Sequence, residues 1–346
     1  MIPRKILTAF LAALTAVIFI TSAVSAQTRL RGVSGTLWVT NKTLNNVVAF
    51  NAGTGDVLAT IPVGAAPIGI IAPRDTGKVY VSNEDGNSVS VISKATLSVI
   101  TTIDLGVGTK PHHVNASADG RYVFVAEFGT NKIAMIDTAT DMFTVLTAST
   151  SPAARTHAVW VAESGRVYAA NTVINQIAAI DPASNTILQE ITVGANPSEV
   201  LVTHSERFAY VSVRGENKLK IVDLTAGEIA DEIVVGTQPD TLRLTPNGKT
   251  MVVTLRGTPA QISIVNVFET LSAQTVNIVP GTTTGHHWLS QNGRYSFVAV
   301  ERPGGVAVIN NRTAEVVTTY VYPGAQTDSR PHGVFYEPSN LETNFE

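Results

Sequence analysis

A repeated unit of about 40 to 46 residues is the feature that most limits what this chain can fold into. Each unit opens with a short apolar run, usually at a proline, and continues through three further β-like runs separated by polar turns. The units start at Pro67, Pro111, Thr156, Pro197, Pro239, Gly285 and Pro331. Four-stranded units of this length are typical of propeller blades, and seven starts predict seven blades.

The two ends of the array complement each other. The array begins with an incomplete unit that has only the second, third and fourth runs, starting at Leu37. It ends with an incomplete unit that has only the first run, starting at Pro331. Pairing of that last strand with the first sheet would close the ring and remove exposed strand edges. We therefore predict an all-β fold, a seven-bladed β-propeller of four-stranded antiparallel blades, closed by the C-terminal strand pairing into the first blade.

The first residues have the order of a secretory signal peptide. Two basic residues precede a long apolar run, and small residues between Ala23 and Ala26 come directly before Gln27. We expect residues 1–26 to be a signal peptide and residues 27–346 to form a single propeller domain, periplasmic or secreted, with no membrane span after cleavage. The apolar run also has the roughly 20 residues that a retained membrane anchor would need.

Composition narrows the possible partners. The formal net charge is -3 and aromatic residues make up 6% of the chain, without interleaving of aromatic and basic residues, so we expect no nucleic-acid binding. The chain has 0 cysteines, which excludes disulfides, thiolate metal centres and covalently attached c-type haem. The expected partner is a small-molecule ligand or an extracytoplasmic protein.

Several second and third runs share a recognisable sequence motif. The segments Val79-Tyr-Val-Ser-Asn83, Leu37-Trp-Val-Thr-Asn41 and Ile136-Asp-Thr-Ala-Thr140 resemble the YVTN family of β-propeller repeats. The resemblance covers nearly the whole chain after the N-terminal segment. It implies a propeller fold and a location outside the cytoplasm. The family is diverse in function, so the resemblance implies no single activity.

Histidines recur at one position of the repeat. In a propeller the loops that enter the innermost strands meet at one mouth of the central channel. The residues directly after the unit starts are Ile68, His112, His157, Ser198, Asp240, His286 and His332. Neutral imidazole is the commonest transition-metal ligand, so His112, His157, His286 and His332 are predicted to bind copper, zinc or iron. The alternative is that these histidines are a polar channel lining.

The neighbouring positions supply further candidates. His113 and His287 follow two of these histidines directly, and they would join them only if the strand start were irregular, because adjacent residues of a strand face opposite sides. Charged residues are also expected near the mouth, where they could orient an anionic ligand or transfer protons. The predicted ligand-binding residues of this kind are Arg214, Arg256, Asp240 and Glu199.

Two classes of function remain open at this point. The first is a non-catalytic extracytoplasmic binding or interaction propeller. The second is a metal-dependent enzyme of redox or lyase type, because the Pro111-His-His-Val and Gly285-His-His-Trp segments resemble the His-His strand starts of the nitrous oxide reductase propeller. That enzyme's cupredoxin domain and cysteine ligands are missing here. In a lyase like the streptogramin-inactivating propellers, the catalytic candidates would be His157, His286, Glu127 and Glu301.

Overall fold

The computed structural model describes residues 29–279, 283–302, 304–324 and 329–339. Within these ranges the chain forms seven four-stranded antiparallel sheets, and the single helical element is a short 3₁₀ turn at Arg214–Glu216. The predicted signal peptide, residues 1–26, lies outside the described residues. No helix in the described ranges is long and apolar enough to cross a membrane. The seven-bladed propeller predicted from the repeat is thus confirmed.

Each blade runs outward from the channel in four strands. The innermost strands are β4 (Pro67–Ile71), β8 (Pro111–Ala116), β12 (Thr156–Val161), β16 (Pro197–Val202), β20 (Pro239–Leu244), β24 (Thr284–Leu289) and β28 (Pro331–Pro338). The second strands are β1 (Gly35–Asn41), β5 (Lys78–Asn83), β9 (Tyr122–Glu127), β13 (Val167–Asn171), β17 (Phe208–Val213), β21 (Thr250–Leu255) and β25 (Tyr295–Val300). The third strands are β2 (Asn46–Asn51), β6 (Ser88–Ser93), β10 (Lys132–Asp137), β14 (Gln176–Asp181), β18 (Lys218–Asp223), β22 (Ala260–Asn266) and β26 (Gly305–Asn310). The outermost strands are β3 (Val57–Pro62), β7 (Ser98–Asp104), β11 (Phe143–Thr147), β15 (Thr186–Thr192), β19 (Glu228–Val234), β23 (Ser272–Val279) and β27 (Glu315–Val321).

The closing strand is β28, which pairs antiparallel with β1 as the sequence predicted. We call this sheet blade 1, and the blades that follow along the chain are blades 2 to 7. Trp38 of β1 lies opposite Phe335 of β28, and its indole Nε1 donates a hydrogen bond to Glu337 Oε2 at 3.1 Å. Ring closure therefore brings His332, at the start of β28, to the channel beside blade 7.

Burial decreases from the second and third strands to the outermost ones. Residues of β5 and β6 are almost all buried, because both faces of these strands pack against neighbouring blades. Val81 and Val91 of blade 2, for example, belong to one apolar cluster with Val123 and Val125 of blade 3. The outermost β7 buries only one of its residues fully. Blade-to-blade packing is therefore the core of the molecule.

Each innermost strand starts with an irregular register that matters for the channel. In blade 3, Pro111 pairs with Glu127 and Val114 pairs with Val125, so His112 and His113 together lie opposite the single residue Ala126. This two-against-one pairing is a β-bulge, and it breaks the strict alternation of side chains along the strand. In blade 3 two consecutive residues, His112 and His113, are thereby placed at the same channel mouth.

The bulge also corrects the predicted start of blade 7. Thr284 pairs with Val300 and His287 with Val298, so the bulge residues are Gly285 and His286. The unit starts at Thr284, and the prediction of Gly285 was wrong by one residue. A Cβ on Gly285 would lie 2.7 Å from the His332 carbonyl oxygen, so the close approach of blade 1 requires glycine there. His286 is thus equivalent to His113, not to His112.

Hydroxyl groups on the second strands hold the bulges of successive blades together. Thr40 Oγ1 donates to the Ile68 carbonyl oxygen at 3.0 Å, and Ser82 Oγ donates to the His112 carbonyl oxygen at 2.5 Å. Ser212 Oγ makes the same bond to the Asp240 carbonyl oxygen at 2.6 Å. These bonds satisfy bulge carbonyls that the strand ladder leaves free and fix the spacing between neighbouring blades.

Candidate functional site at the channel mouth

Five histidine side chains lie against one another where the innermost strands begin. We call His112, His113, His157, His286 and His332 the imidazole group. Ring centroids are 4.3 Å apart for His112 and His157, 4.5 Å for His113 and His286, and 4.6 Å for His286 and His332. Residues from blades 1, 3, 4 and 7 are therefore in ring contact, although they lie up to 220 positions apart in sequence (332 - 112 = 220).

The bulges decide which of the doubtful histidines belong to this group. His113 contacts His286 because the bulge turns both His112 and His113 toward the channel mouth. His287, one residue beyond the bulge of blade 7, is fully buried and its Nδ1 lies 2.8 Å from Thr241 Oγ1. The irregular strand start that His113 required is thus present, whereas His287 packs against blade 6.

His157 is held by partners on both ring nitrogens. Its Nδ1 lies 2.7 Å from the Ser198 carbonyl oxygen, which accepts, so the proton sits on Nδ1. Nε2 therefore accepts from Arg214 Nη2 at 3.3 Å. Blade 4 has Ala170 at the position where blades 1, 2 and 5 carry the linking hydroxyls of Thr40, Ser82 and Ser212. His157 supplies the missing link from blade 4 to blade 5, which is a structural role.

His332 is paired with a carboxylate. Its Nδ1 lies 2.8 Å from Glu301 Oε1. Burial acts to raise the pKa of Glu301, but the hydrogen bond from His332 and the nearby Arg256 outweigh it and lower that pKa to about 2. Glu301 is thus ionised at neutral pH and accepts the Nδ1 proton. Burial lowers the pKa of His332 itself, so its ring is neutral.

A network of ion pairs occupies the side of the mouth formed by blades 5 to 7. We call Arg214, Asp240, Arg256 and Glu301 the ion-pair network. Asp240 contacts Arg214 and lies 3.6 Å from Arg256 Nη1, and Arg256 Nη2 donates to Glu301 Oε1 at 2.9 Å. Burial would raise the pKa of Asp240, but the two guanidinium groups hold it well below its usual range. The predicted ligand-binding arginines are therefore already neutralised by protein carboxylates.

Glu199 belongs to a second layer below this network. Its Oε1 accepts from Arg243 Nη1 at 2.8 Å, and its other oxygen accepts from the Leu242 amide. Glu199 is 2% exposed, and burial raises its pKa despite the neighbouring Arg243. The structure therefore engages this predicted ligand-binding residue in holding blade 5 to blade 6.

Three imidazoles of the group keep a buried nitrogen without a hydrogen-bond partner. These atoms are His112 Nδ1, His113 Nε2 and His286 Nε2. Burial lowers the pKa of all three residues, that of His113 to about 3, so all three rings are neutral. A neutral imidazole presents one lone pair for a metal ion or a donor. With side chains as they stand, no set of three or more His, Asp or Glu residues in the described ranges is arranged as a metal site.

Glu127, a catalytic candidate in the lyase alternative, is the last residue of β9 and accepts a hydrogen bond from Thr130 Oγ1 at 2.8 Å in its own blade. The next residue, Phe128, takes the position that Arg214 and Arg256 have in their blades. Its ring centroid lies 5.8 Å from those of both His112 and His157.

Phe128 was missed because the sequence argument considered only polar residues. Counting outward from the blade start would have identified it, since Phe128 stands 17 positions after Pro111 (128 - 111 = 17) just as Arg214 stands 17 after Pro197 (214 - 197 = 17). An aromatic ring there covers the imidazoles from one side. Four surface cavities in the described part of the chain are lined by none of the imidazole group.

Comparison with protein families finds a match for the middle of the chain. The family model for the lactonase-type seven-bladed β-propeller matches residues 108–272, which are blades 3 to 5 and most of blade 6. No curated protein sequence matches this chain. The match supports the propeller fold, and the assignment to YVTN repeats stays a prediction.

Solved structures with the same fold cover most of the chain. A candidate 6-phosphogluconolactonase from Bacteroides fragilis has a TM-score of 0.70 at 17% identity, over 88% of this chain and 98% of its own. A functionally unknown protein from Desulfotomaculum acetoxidans has a TM-score of 0.70 at 14% identity, over 87% and 99%. Kuenenia stuttgartiensis hydrazine synthase has a TM-score of 0.67 at 20% identity, over 83% and 92%. At these identities the likeness shows the fold alone.

Proposed function

We propose that this protein is an extracytoplasmic propeller that binds a transition-metal ion at its channel mouth through His112, His113 and His286. The observation that carries the proposal is the partnerless buried nitrogen on each of these three neutral imidazoles. Leaving a buried polar atom unpaired costs about 1–3 kcal/mol, so three together indicate a bound group that satisfies them. Imidazole nitrogen suits copper, zinc, iron and nickel.

The surroundings favour an ion over a larger ligand. The rings of His113 and His286 are in contact, with centroids 4.5 Å apart, so only a ligand as small as a single ion could join them after the rings turn. Arg214 and Arg256 are already paired with Asp240, so the mouth offers no free cation for an anionic ligand. The unpaired buried atoms of the mouth are the three imidazole nitrogens together with Arg214 Nε and Asp240 Oδ2, and the nitrogens are the ones that suit a metal ion.

Metal binding would require small rotations of the three rings. The side-chain torsion that turns an imidazole about its Cβ–Cγ bond has broad, roughly two-fold minima, so either ring nitrogen can be presented at modest cost. Three imidazoles without a fourth protein ligand leave a coordination position open, as in catalytic three-histidine zinc sites. The metal would then supply a Lewis acid or, if copper or iron, a redox centre.

The test is elemental analysis of protein purified without a histidine tag. The protein is loaded with Cu²⁺ or Zn²⁺, dialysed, and its metal content is compared with that of a His112→Leu, His113→Leu, His286→Leu variant. His204→Leu serves as the matched control, because His204 is the exposed histidine outside the group. We expect close to one ion per chain in wild type and in the control, and none in the triple variant. Equal metal content in all three proteins, or none in wild type, would overturn the proposal.

Hydrolysis of a lactone is a second candidate function, favoured by the family-model match to blades 3 to 6. The residues that would act are His332 and Glu301. Because Glu301 accepts the Nδ1 proton, His332 Nε2 is left with the lone pair that could take a proton from an attacking water. Arg256 orients Glu301 by a hydrogen bond of 2.9 Å.

This candidate is tested by pH-stat assay of glucono-1,5-lactone hydrolysis in the presence of a chelator. General-base catalysis contributes about 10²–10⁴-fold, so His332→Ala should lower the rate by at least two orders of magnitude. Glu301→Gln keeps the side-chain shape and should lower kcat without raising KM. A wild-type rate equal to that of buffer would remove this function and leave the metal proposal untouched.

A further inference from the structure

A cavity of about 750 Å³ lies between blades 3 and 4, on the face of the propeller opposite the channel mouth. Its rim is formed by the turns that follow β8, β12 and β14. Its apolar lining residues include Tyr122, Phe124, Met135 and Leu188. The volume is within the range of about 300–1,000 Å³ that is typical of small-molecule sites. The cavity is therefore large enough for a small organic ligand.

The cavity exists because a side chain that bridges the next pair of blades has no counterpart here. Between blades 4 and 5, Glu206 Oε2 accepts from Tyr168 Oη at 3.0 Å and from Arg166 Nη1 at 2.9 Å. Gly165 is the blade 4 counterpart of Glu206, because each donates its amide to the first carbonyl oxygen of its turn at 2.9 Å. A Cβ on Gly165 would meet no atom within 4 Å. The crevice between blades 3 and 4 therefore stays open at this turn.

The blade 3 wall of the crevice is apolar where blade 4 is polar. Phe124 of β9 has the position of Tyr168 in β13, since both pair with the fourth residue of the third strand of their blade. Phe124 lacks the hydroxyl through which Tyr168 binds the next blade. The rings of Phe124 and Tyr122 are neighbours, with centroids 6.4 Å apart. This wall therefore offers aromatic contact to an occupant.

The charges around the cavity do not cancel. Its charged lining residues are Asp119, Glu163, Arg166 and Asp181. Arg166 is paired with Glu206 at 2.9 Å, and Glu163 with His204 at 2.8 Å. Asp119 and Asp181 instead accept hydrogen bonds from hydroxyl groups and backbone amides of their own turns. These bonds lower the pKa of both carboxyl groups and bring no positive charge, so both carboxylates are ionised at neutral pH.

One further guanidinium group is close to the cavity. Arg121 lies over the Tyr122 ring, 4.9 Å from its centroid, and does not line the cavity. Its Nε is 3.8 Å from Asp137 Oδ2, so this cation also has an acidic neighbour. Once these pairs are counted, the carboxylates of Asp119 and Asp181 leave the cavity with an excess of negative charge.

We propose that this cavity binds a small organic cation, with its apolar body against Phe124 and Leu188 and its ammonium group near the carboxylates of the rim. The negative excess attracts a cation and repels an anion. An aromatic wall adds to the preference, because the face of a ring also attracts cations. This site does not depend on a metal ion at the mouth, which lies at the other end of the innermost strands.

Four probes separate charge from apolar contact in isothermal titration calorimetry. Phenethylammonium carries both features, phenethyl alcohol lacks the charge, phenylacetate reverses it, and ethylammonium lacks the ring. We expect phenethylammonium to bind most tightly and to weaken as salt rises from about 20 mM to about 300 mM, since salt screens exposed charges. Equal affinity for phenethyl alcohol would overturn the choice of a cation, and equal affinity for ethylammonium would overturn the apolar contact. Absence of saturable phenethylammonium binding would overturn the site itself.

The charge contribution is located by substituting both turn carboxylates. Asp119→Asn combined with Asp181→Asn keeps an oxygen acceptor for the turn amides but removes both charges. We expect phenethylammonium to bind at least tenfold more weakly, the equivalent of about 1.4 kcal/mol, and phenethyl alcohol to be unaffected. Asp104→Asn combined with Asp223→Asn is the matched control, because both carboxylates accept from turn amides in the same way and do not line the cavity. Equal phenethylammonium affinity in the two double variants would contradict the proposal.

The apolar contribution is located by Leu188→Ala. Leu188 is the bulge residue of β15 and is 50% exposed, so its truncation should leave the fold intact, which circular dichroism verifies. We expect phenethylammonium and phenethyl alcohol to weaken by the same factor. Leu58→Ala is the control, since Leu58 is the corresponding bulge residue of β3, is 49% exposed and does not line the cavity. Equal affinities in Leu188→Ala and Leu58→Ala would contradict the placement of the apolar body.

Discussion

The two sides of the channel mouth differ in how their charges are balanced, although each side keeps unpaired atoms, which on the charged side are Arg214 Nε and Asp240 Oδ2. In the ion-pair network of blades 5 to 7, Asp240 neutralises two guanidinium groups and Glu301 accepts from both Arg256 and His332. In blades 3 and 7, His112, His113 and His286 are just as buried but each keeps a nitrogen without a partner. Both sides are built on the same β-bulge, so the backbone does not explain the contrast.

This contrast separates the residues that hold the blades together from those that are available to bind a ligand. A buried charge without a partner is too costly to keep, so the charged side had to be completed by other residues of the protein itself. A neutral imidazole without a partner costs far less, so it can be kept for an external group. We therefore regard the ion-pair network as structural and the three partnerless imidazoles as the binding part of the mouth.

The largest expected effect is on the structural side. Asp240→Asn leaves Arg214 and Arg256 facing a neutral amide in a buried site, and breaking such a pair costs about 3–5 kcal/mol of unfolding free energy. Urea denaturation measures it. Glu232→Gln is the control, since Glu232 forms an exposed ion pair with Lys218 whose loss should cost less than about 1 kcal/mol. Similar costs for both variants would contradict the structural role of Asp240.

Acid titration should show the ion-pair network losing its contribution to the free energy of unfolding. The pKa of Glu301 is about 2 in the folded protein, below the value of about 4.3 for an unfolded glutamate. Its stabilisation is therefore complete above about pH 4.3 and is lost as the pH falls toward 2, amounting to roughly 3 kcal/mol. Glu301→Gln should lack this part of the pH dependence in urea melts between pH 5 and about 2. Parallel curves for wild type and variant would refute it.

Single substitutions of His157 and of His286 test the contrast between structural and binding residues within the imidazole group. His157→Leu removes the donor to the Ser198 carbonyl oxygen and the acceptor for Arg214, so it should cost about 1–3 kcal/mol in thermal or urea unfolding. Metal content should not change. If this variant lost metal but kept its stability, His157 would belong with the binding residues.

His286→Leu should have the smallest effect on stability and a complete effect on binding. An apolar side chain of similar size replaces a ring whose Nε2 has no partner, so the expected cost is under about 1 kcal/mol. The same variant should lose the metal ion measured by elemental analysis. A cost above that of His157→Leu would show that His286 has a structural partner after all.

The fold was largely predictable because it rests on local pattern. Alternating apolar residues and turn signals such as Asp119-Gly120 mark strands and their ends, and the proline before most innermost strands marks each blade start. Where that proline is missing, at Thr284, the predicted register slipped by one residue. The ring closure by β28 was visible from the complementary ends of the array.

The site was predictable only in outline. The recurrence of histidine at blade starts pointed to His112, His286 and His332, which lie together at one mouth, and their metal binding stays a prediction. It did not distinguish His157, whose nitrogens are both used, from His113, whose Nε2 is free. That distinction depends on carbonyl oxygens and side chains from other blades.

The sequence by itself determined the number of blades, the order of strands, the closing strand and the enrichment of histidine at one end of the channel. Each of these follows from residue type and spacing within a single unit of about 40 to 46 residues. Only the tertiary structure decided which histidines face each other, that Phe128 covers two of them and that a cavity opens between blades 3 and 4. The reason is physical: a bulge and a hydrogen bond between blades are set by atoms that packing brings together, and spacing along one chain segment carries no record of them.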